Sequence, residues 1–274
     1  MKHNLWDMSW MEAEEAFKKS DTVILPLGSL HSHGPIPIGI DSTLPEKLAE
    51  EVAKRTGLLY LPVVTYGENQ KMKYYPGSIT LKPETNENVY VDIFTSLRRN
   101  GIRKIIILNG HGGNIATIDA AARKVRSIGI LVVVSEWWTL VKQKHQDLWE
   151  WGVDLCELAL ALAIGGKDCA DLRWKETGYM GDWGNPYPTK KIFGDKITPL
   201  GFNAFEFEGA EVIIPIESWD IDIPGPPNIG EEDADELYEK GLEIMKIIVD
   251  YTVALAAEFA KVDVTEALKS QDSF

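Results

Sequence analysis

The chain predicts an α/β protein built on a parallel sheet that helices cover on both faces. Short apolar runs alternate with helix-patterned segments of about 12–15 residues, the rhythm of strand–helix–strand units. The runs are apolar at every position rather than every second one, as strands buried on both faces are. Two of them lead straight into glycine-rich loops that carry histidines, and loops beyond strand ends are where such folds place their chemistry.

Val23-Ile24-Leu25-Pro26-Leu27, bounded by Asp21 and Gly28, reads as the first strand. Leu44 to Arg55 carries Leu44, Leu48 and Val52 at helical spacing, with Pro45 suited to a first turn. Leu58 to Val64 reads as a second strand, and Asn86 to Asn100 as a helix that Gly101 ends. Lys104 to Leu108 is the next strand and runs into Asn109-Gly110-His111-Gly112-Gly113-Asn114. A helix is expected from Ile115 to Ile128, a strand from Ile130 to Val134, and a long helix over 141–164 with a break near Gly152. Residues 171–230 are rich in Gly, Pro, Trp and Tyr and lack a helical period, so they read as an irregular covering or interface segment whose clear strand is Val212 to Ile216. Residues 230–261 close the chain with an amphipathic helix. With no internal repeat, low-complexity tract or linker, a single domain over 1–274 is expected.

The bulk properties exclude several classes. A chain of 274 residues with 45% hydrophobic content can bury a large core. No apolar run reaches the roughly 18 residues needed to span a bilayer, and the N-terminus lacks an apolar signal segment, which predicts a cytoplasmic protein. Cys156 and Cys169 form neither a disulfide framework nor a CxxC pair and read as reduced, partly buried side chains. The net charge of -14 argues against nucleic acid and against steering of a polyanion. A neutral or cationic small molecule suits it better.

The chemistry sits in Gly28-Ser29-Leu30-His31-Ser32-His33-Gly34-Pro35, in Asp41, and in the Asn109–Asn114 loop. Residues two apart in an extended segment point the same way, so the His31 and His33 imidazoles can share a cavity. A turn forced by Gly34, Pro35, Pro37 and Gly39 can fold Asp41 back onto them. His111 joins only if its strand lies close to the first. Imidazole plus carboxylate is a ligand set for zinc, manganese or iron, and Asp41 is the candidate to bridge two ions through its two oxygens. Asn109–Asn114 also reads as a phosphate nest of a nucleotide-binding module, although it lacks the Lys-Ser/Thr ending of a P-loop.

These segments resemble the creatininase (creatinine amidohydrolase) family. Leu25 to Ser29, the ligand pair two apart, Gly34-Pro35 and Asp41 are similar to its N-terminal motif, and Asn109–Asn114 to its second. Pro62 to Gly67, Tyr75 to Leu81 and Glu239-Lys240-Gly241 resemble further family segments. The resemblance implies a three-layer α/β/α sandwich, a binuclear metal centre, hydrolysis of a small cyclic substrate and a homo-oligomer, often a hexamer. It places His33, Asp41 and His111 on ligand positions, with Asp41 bridging. His31 stands where the family usually has a glutamate, Gly113 where creatininase itself supplies a carboxylate, and Lys71-Met72 where many members have Glu-His. The family's Glu-Thr-Ser motif is not legible, so Asp154 or Glu157 is the candidate catalytic carboxylate, with Glu68 weaker. Asp147, Glu150, Asp154 and Glu157 also form a stripe that reads as a solvated helix face. Trp137, Trp138, Tyr179 and Trp183 are candidate pocket walls.

The expected activity is therefore hydrolysis by a metal-activated water. It would open a diketo-inositol ring at a C–C bond, since His31 with Lys71 and Met72 is similar to the family branch that opens oxidised inositol rings, or cleave a cyclic amide, the family default. The alternative is a non-catalytic metal- or ligand-binding protein on the same fold.

Overall fold

In the computed structural model, which describes residues 2–149, 152–170, 198–199, 204–213 and 234–265, the apolar runs form a parallel sheet. Its strands are β1 (Thr22–Leu27), β2 (Leu59–Tyr60), β3 (Lys104–Asn109) and β4 (Leu131–Glu136), in the order β2-β1-β3-β4. The helices are α1 (Trp10–Phe17), α2 (Ile40–Thr56), α3 (Pro83–Arg99), α4 (Ile115–Arg126), α5 (Trp137–Lys144), α6 (Gln146–Trp149), α7 (Gly152–Gly165) and α8 (Ala234–Phe259).

Side-chain parity divides the core. Val23, Leu25, Leu27, Ile105 and Ile107 pack with Tyr90 and Phe94 of α3 and Ile118 and Val125 of α4. Ile24, Ile106 and Leu108 pack with Leu44 and Leu48 of α2, Leu158 and Leu162 of α7, and Ile244 and Ile248 of α8. The result is three layers, α/β/α. Each fully buried aliphatic side chain contributes about 1.5–3 kcal/mol. A one-residue slip of β3 would exchange its two faces, so the register is tightly specified. Lys104 opens β3 buried, and its ammonium donates to the Ala260 carbonyl just past α8 at 2.7 Å and pairs with Asp21 at 3.2 Å.

The register Leu27↔Asn109↔Glu136 sets the C-terminal ends of β1, β3 and β4 level. The loops that follow them therefore emerge side by side.

Several elements differ from expectation. Helix α2 starts at Ile40, not Leu44, so Pro45 lies inside the helix rather than in its first turn. Proline has no N–H, so the carbonyl of Asp41, its partner four residues back, is released from the helix ladder. Strand β2 is cut to two residues because Pro26 of β1, on the edge that faces β2, has no N–H to donate to the Leu61 carbonyl, although the N–H groups of Leu61 and Val64 still donate to the carbonyls of Ile24 and Pro26. The long helix expected over 141–164 is interrupted at His145; α6 is described to Trp149 and α7 from Gly152, and residues 150–151 between them lie outside the described residues. Within 171–230 the described residues form an antiparallel sheet of β5 (Thr198–Pro199), β6 (Ala204–Phe207) and β7 (Ala210–Ile213). Glu208 and Gly209, with φ of 50° and 82°, close the β6–β7 hairpin in the left-handed region such turns use. Residues 214–216 of the expected strand lie outside the described residues. Helix α1 was not expected; Ser9 and Glu12 form a capping box at its start, yet it buries no residue. No described helix is long and apolar enough to cross a membrane.

Candidate metal centre

His31 and His33 lie in extended chain just beyond β1. Leu30 bridges to Ile79, and His33 bridges to Ile36 across a turn that Gly34 makes at φ 62°. The two rings stack with centroids 4.0 Å apart, so both imidazoles face one side. Asp41 arrives from the first turn of α2, which sits directly on the strand ends. A Cβ at Gly110 would lie 2.0 Å from the Asp41 carbonyl oxygen, so only glycine lets α2 come that close. His111 follows β3, the neighbour of β1.

The four groups converge. Asp41 Oδ2 is 2.9 Å from His31 Nε2 and 2.8 Å from His111 Nδ1, and Asp41 Oδ1 is 3.0 Å from His33 Nε2. His31 Nε2 and His111 Nδ1 are 3.0 Å apart. Asp41, His31 and His33 are 3%, 6% and 5% exposed. Among the described residues they form the group whose ligand atoms lie close enough together to hold a metal ion.

The remaining ring nitrogens fix the tautomers. His31 Nδ1 meets the Ser32 carbonyl at 3.0 Å, His33 Nδ1 the His31 carbonyl at 3.0 Å, and His111 Nε2 the Glu68 carbonyl at 2.8 Å. A carbonyl only accepts, so each of these nitrogens carries the hydrogen. In the neutral rings the opposite nitrogens then bear lone pairs, and all of them aim at Asp41. Lone pairs facing a carboxylate, and each other at 3.0 Å, are mutually repelled unless a proton or a cation lies between them. Ligand atoms about 2.1 Å from a shared ion stand roughly 3–3.5 Å from each other. The donor set and its spacing therefore fit a divalent metal, with the backbone carbonyls orienting each imidazole.

The electrostatics agree. Burial pushes His31 down to about 4 against the pull of Asp41. Burial also opposes charge on His33, but Asp41 and then Glu157 outweigh it and hold His33 at about 9. Burial works against the Asp41 charge too, yet His33 and His31 keep its carboxyl well below the usual range. For the metal-free protein this sets the sign of the pH dependence. His31 must take up a proton on unfolding, so stability declines as pH falls from about 6.5 through about 4. The His33 contribution is complete below about 6.5 and is lost as pH rises through about 9. Melting temperature should peak near pH 6.5, and the alkaline loss should disappear once metal is loaded. A metal-free protein whose melting is flat from pH 6.5 to 9 contradicts this.

Glu157 of α7 brings a second carboxylate. It is 8% exposed, with Oε1 4.0 Å from His33 Nε2. Glu68 contributes its backbone oxygen to His111, while its carboxylate accepts from its own turn at the Gln70 N–H, 3.0 Å away. The Asp154 side chain, Glu150, Tyr179 and Trp183 lie outside the described residues. Trp137 is buried and packs edge-on to Trp138 at 5.8 Å. A Cβ at Gly113 would fall 2.0 Å from the Glu68 carbonyl oxygen and 2.5 Å from His111 Nε2, so this position has no room for a side chain. An acceptor oxygen packed there also repels a phosphate.

Two groups escaped the sequence reading. Asn69 is buried, and its Nδ2 donates to Ser29 Oγ and the Leu30 carbonyl, both at 2.9 Å, which holds the loop before His31. Glu136 ends β4 level with Asn109 and accepts from Asn109 Nδ2 at 3.4 Å. Asparagine in a loop and glutamate at a strand end are ordinary composition, so neither carries a signal in one sequence.

A family profile described as creatininase, creatinine amidohydrolase, matches residues 6–159, a span that holds both histidine loops, Asp41 and Glu157. The chain belongs to the creatininase family. This creatininase-family chain is 33% identical to the creatinine amidohydrolase of Pseudomonas putida over 150 residues, 50% of this chain and 58% of that one. It is 29% identical to the 3-dehydro-scyllo-inosose hydrolase of Thermotoga maritima over 149 residues, 53% of this chain and 48% of that one. It thus spans about half the length of the curated relatives it matches. Its fold superposes on a W174F mutant creatininase with a TM-score of 0.69, covering 96% of this chain and 100% of that one at 26% identity. Mn and Zn-Zn forms of creatininase match with TM-scores of 0.69 and 0.68, each at 25% identity.

Proposed function

We propose that this creatininase-family chain is a metal-dependent hydrolase of a small, neutral, cyclic substrate. The carrying observation is the convergence of ring nitrogens from His31, His33 and His111 on the buried carboxylate of Asp41. The two Asp41 oxygens divide the site. His31, His111 and Asp41 would hold one divalent ion, and His33, Asp41 and Glu157 a second. Zinc, manganese and iron all accept this donor set. When bound, such ions lower the pKa of water and polarise a carbonyl. Glu157, whose buried carboxylate lies 4.0 Å from His33 Nε2, would take the proton from the attacking water and return it to the leaving group. The backbone carbonyls behind each imidazole hold the ligands in place throughout.

Two scissile bonds suit this apparatus. One is a ring C–C bond of a diketo-inositol, whose hydrolysis opens the ring; the other is the amide of a cyclic amide. The two curated relatives carry names of both kinds, and the net charge of -14 favours a neutral ring over an anion.

The test is metal content with turnover. The purified protein should carry about two equivalents of Zn, Mn or Fe per chain and should hydrolyse a diketo-inositol, creatinine or a small lactam. Stripping with EDTA should lower the melting temperature. An ion at a thousandfold excess over its Kd stabilises by about 4 kcal/mol. At roughly 2–4 °C per kcal/mol for a chain of this size, the fall is on the order of 10 °C, restored by Mn2+ or Zn2+. Zero or one equivalent with no turnover would favour the non-catalytic binding protein. A melting temperature indifferent to EDTA but raised by ATP or a dinucleotide would favour the nucleotide module.

A further inference from the structure

His111 is oriented by the Glu68 carbonyl, and Glu68 is in turn held by a side chain that touches none of the ligand atoms. The Glu68 N–H donates to Asn114 Oδ1 at 3.0 Å, while the Glu68 carbonyl accepts from His111 Nε2 at 2.8 Å. Asn114 is fully buried, and its Nδ2 donates to the Gly28 carbonyl at 3.0 Å. Its Oδ1 takes a second donor, Asn86 Nδ2, at 3.2 Å. Asn86, fully buried on α3, also donates to Thr117 Oγ1 at 2.9 Å, and that hydroxyl donates to the Asn114 carbonyl at 2.9 Å. One amide therefore joins the loop after β1 at Gly28, the loop beyond β2 at Glu68 and the loop after β3. The Asn114 side chain makes three hydrogen bonds at once, two accepted by Oδ1 and one donated by Nδ2, so a single buried amide fixes the relative positions of the three loops.

We propose that Asn114 is a positioning residue of the metal centre, acting through the Glu68 peptide to keep His111 Nδ1 aimed at Asp41. The proposal rests on His111 being a metal ligand. Without Asn114 Oδ1 the part-buried Glu68 N–H loses its acceptor, and the peptide turns to find another. The Glu68 oxygen then leaves His111 Nε2, and the ring loses the partner that fixes its tautomer and plane. The His31 and His33 rings are held by other carbonyls, those of Ser32 and His31, and their loop is also tied by Asn69. The consequence is selective: the ion sharing His31, His111 and Asp41 weakens, and the ion at His33 does not.

The experiment is a titration of the chelator-stripped full chain with Mn2+, and with Zn2+ by competition, to give the number of ions and the Kd of each. Wild type should bind two. In Asn114→Leu one ion should weaken by about tenfold or more, the other by less than threefold. Asn114→Asp keeps an oxygen opposite the Glu68 N–H and should recover most of the loss. The melting temperature of the stripped variants is read in parallel. A lower melting temperature with both constants unchanged makes Asn114 merely structural and overturns the proposal. Equal losses in the Leu and Asp variants overturn it too. If Asn114→Leu does not fold, Asn86→Ala removes one donor from Asn114 and should weaken the same ion about threefold; a folded Asn86→Ala that binds both ions normally refutes the proposal. A wild-type chain that binds neither metal refutes the metal reading itself, which is a different outcome from two normal ions in Asn114→Leu.

Discussion

Asp41→Asn should leave the protein without either ion and without hydrolytic activity, while the metal-free fold persists. Among the described residues Asp41 is the side chain with an oxygen for both halves of the site: Oδ2 at 2.9 and 2.8 Å from His31 and His111, Oδ1 at 3.0 Å from His33. An amide replaces one of those oxygens with a donor and removes the negative charge that offsets two cations in a buried space. Losing a group that merely orients a ligand costs 10–100-fold in metal affinity. Losing a ligand shared by both ions should therefore cost roughly a thousandfold or more, and metal analysis after gel filtration should fall from about two equivalents to none. The stripped variant should still fold but melt lower than stripped wild type, because buried His33 loses the carboxylate that favours its charge, and breaking a buried pair from one side costs about 3–5 kcal/mol. Two retained ions in Asp41→Asn would remove Asp41 from its shared position and end the two-ion assignment.

The sequence showed the parallel sheet because β1 and β3 are apolar throughout, which only strands covered on both faces tolerate. It could not give the strand order. That β1 lies beside β3, and so that His31 can meet His111, is a property of the assembled sheet. The start of α2 was hidden because Gly39 makes no side-chain cap, and Pro45 reads locally as a first turn. Helix α1 was overlooked for the opposite reason: its Ser9–Glu12 capping box is legible, but its exposed faces leave no strong apolar stripe to notice. The acidic stripe through Asp147 and Glu157 invited a solvated reading. The better signal lay just after it, since Leu158 to Leu162 is apolar at every position and buried, and a helix apolar all round draws an adjoining carboxylate inside with it. The asparagines that hold the histidine loops were illegible because their roles depend on backbone groups from other strands.

Glu157→Gln should lower kcat by about 10²–10⁴-fold, the range for losing a positioned proton-transfer group. The geometry that leads to this starts at Gly113, where the creatininase resemblance would place a carboxylate. No such side chain fits, because the Glu68 carbonyl and the His111 ring fill the space a Cβ would need. A buried site with three imidazoles and a single carboxylate would carry excess positive charge once two divalent ions enter, so a further anion is required from elsewhere. Glu157 supplies it from α7, with Oε1 4.0 Å from His33 Nε2. The expected signature is a split. The His31–His111 ion should remain, the His33 ion should weaken, and kcat should fall far more than KM rises. Asp154 precedes Glu157 by three residues on the same helix, so Asp154→Asn is the matched comparison and should retain turnover within a few fold. If Asp154→Asn abolishes turnover and Glu157→Gln does not, the working carboxylate is Asp154 and α7 presents its other acid to the ions. If both variants turn over normally, proton transfer does not pass through α7 at all.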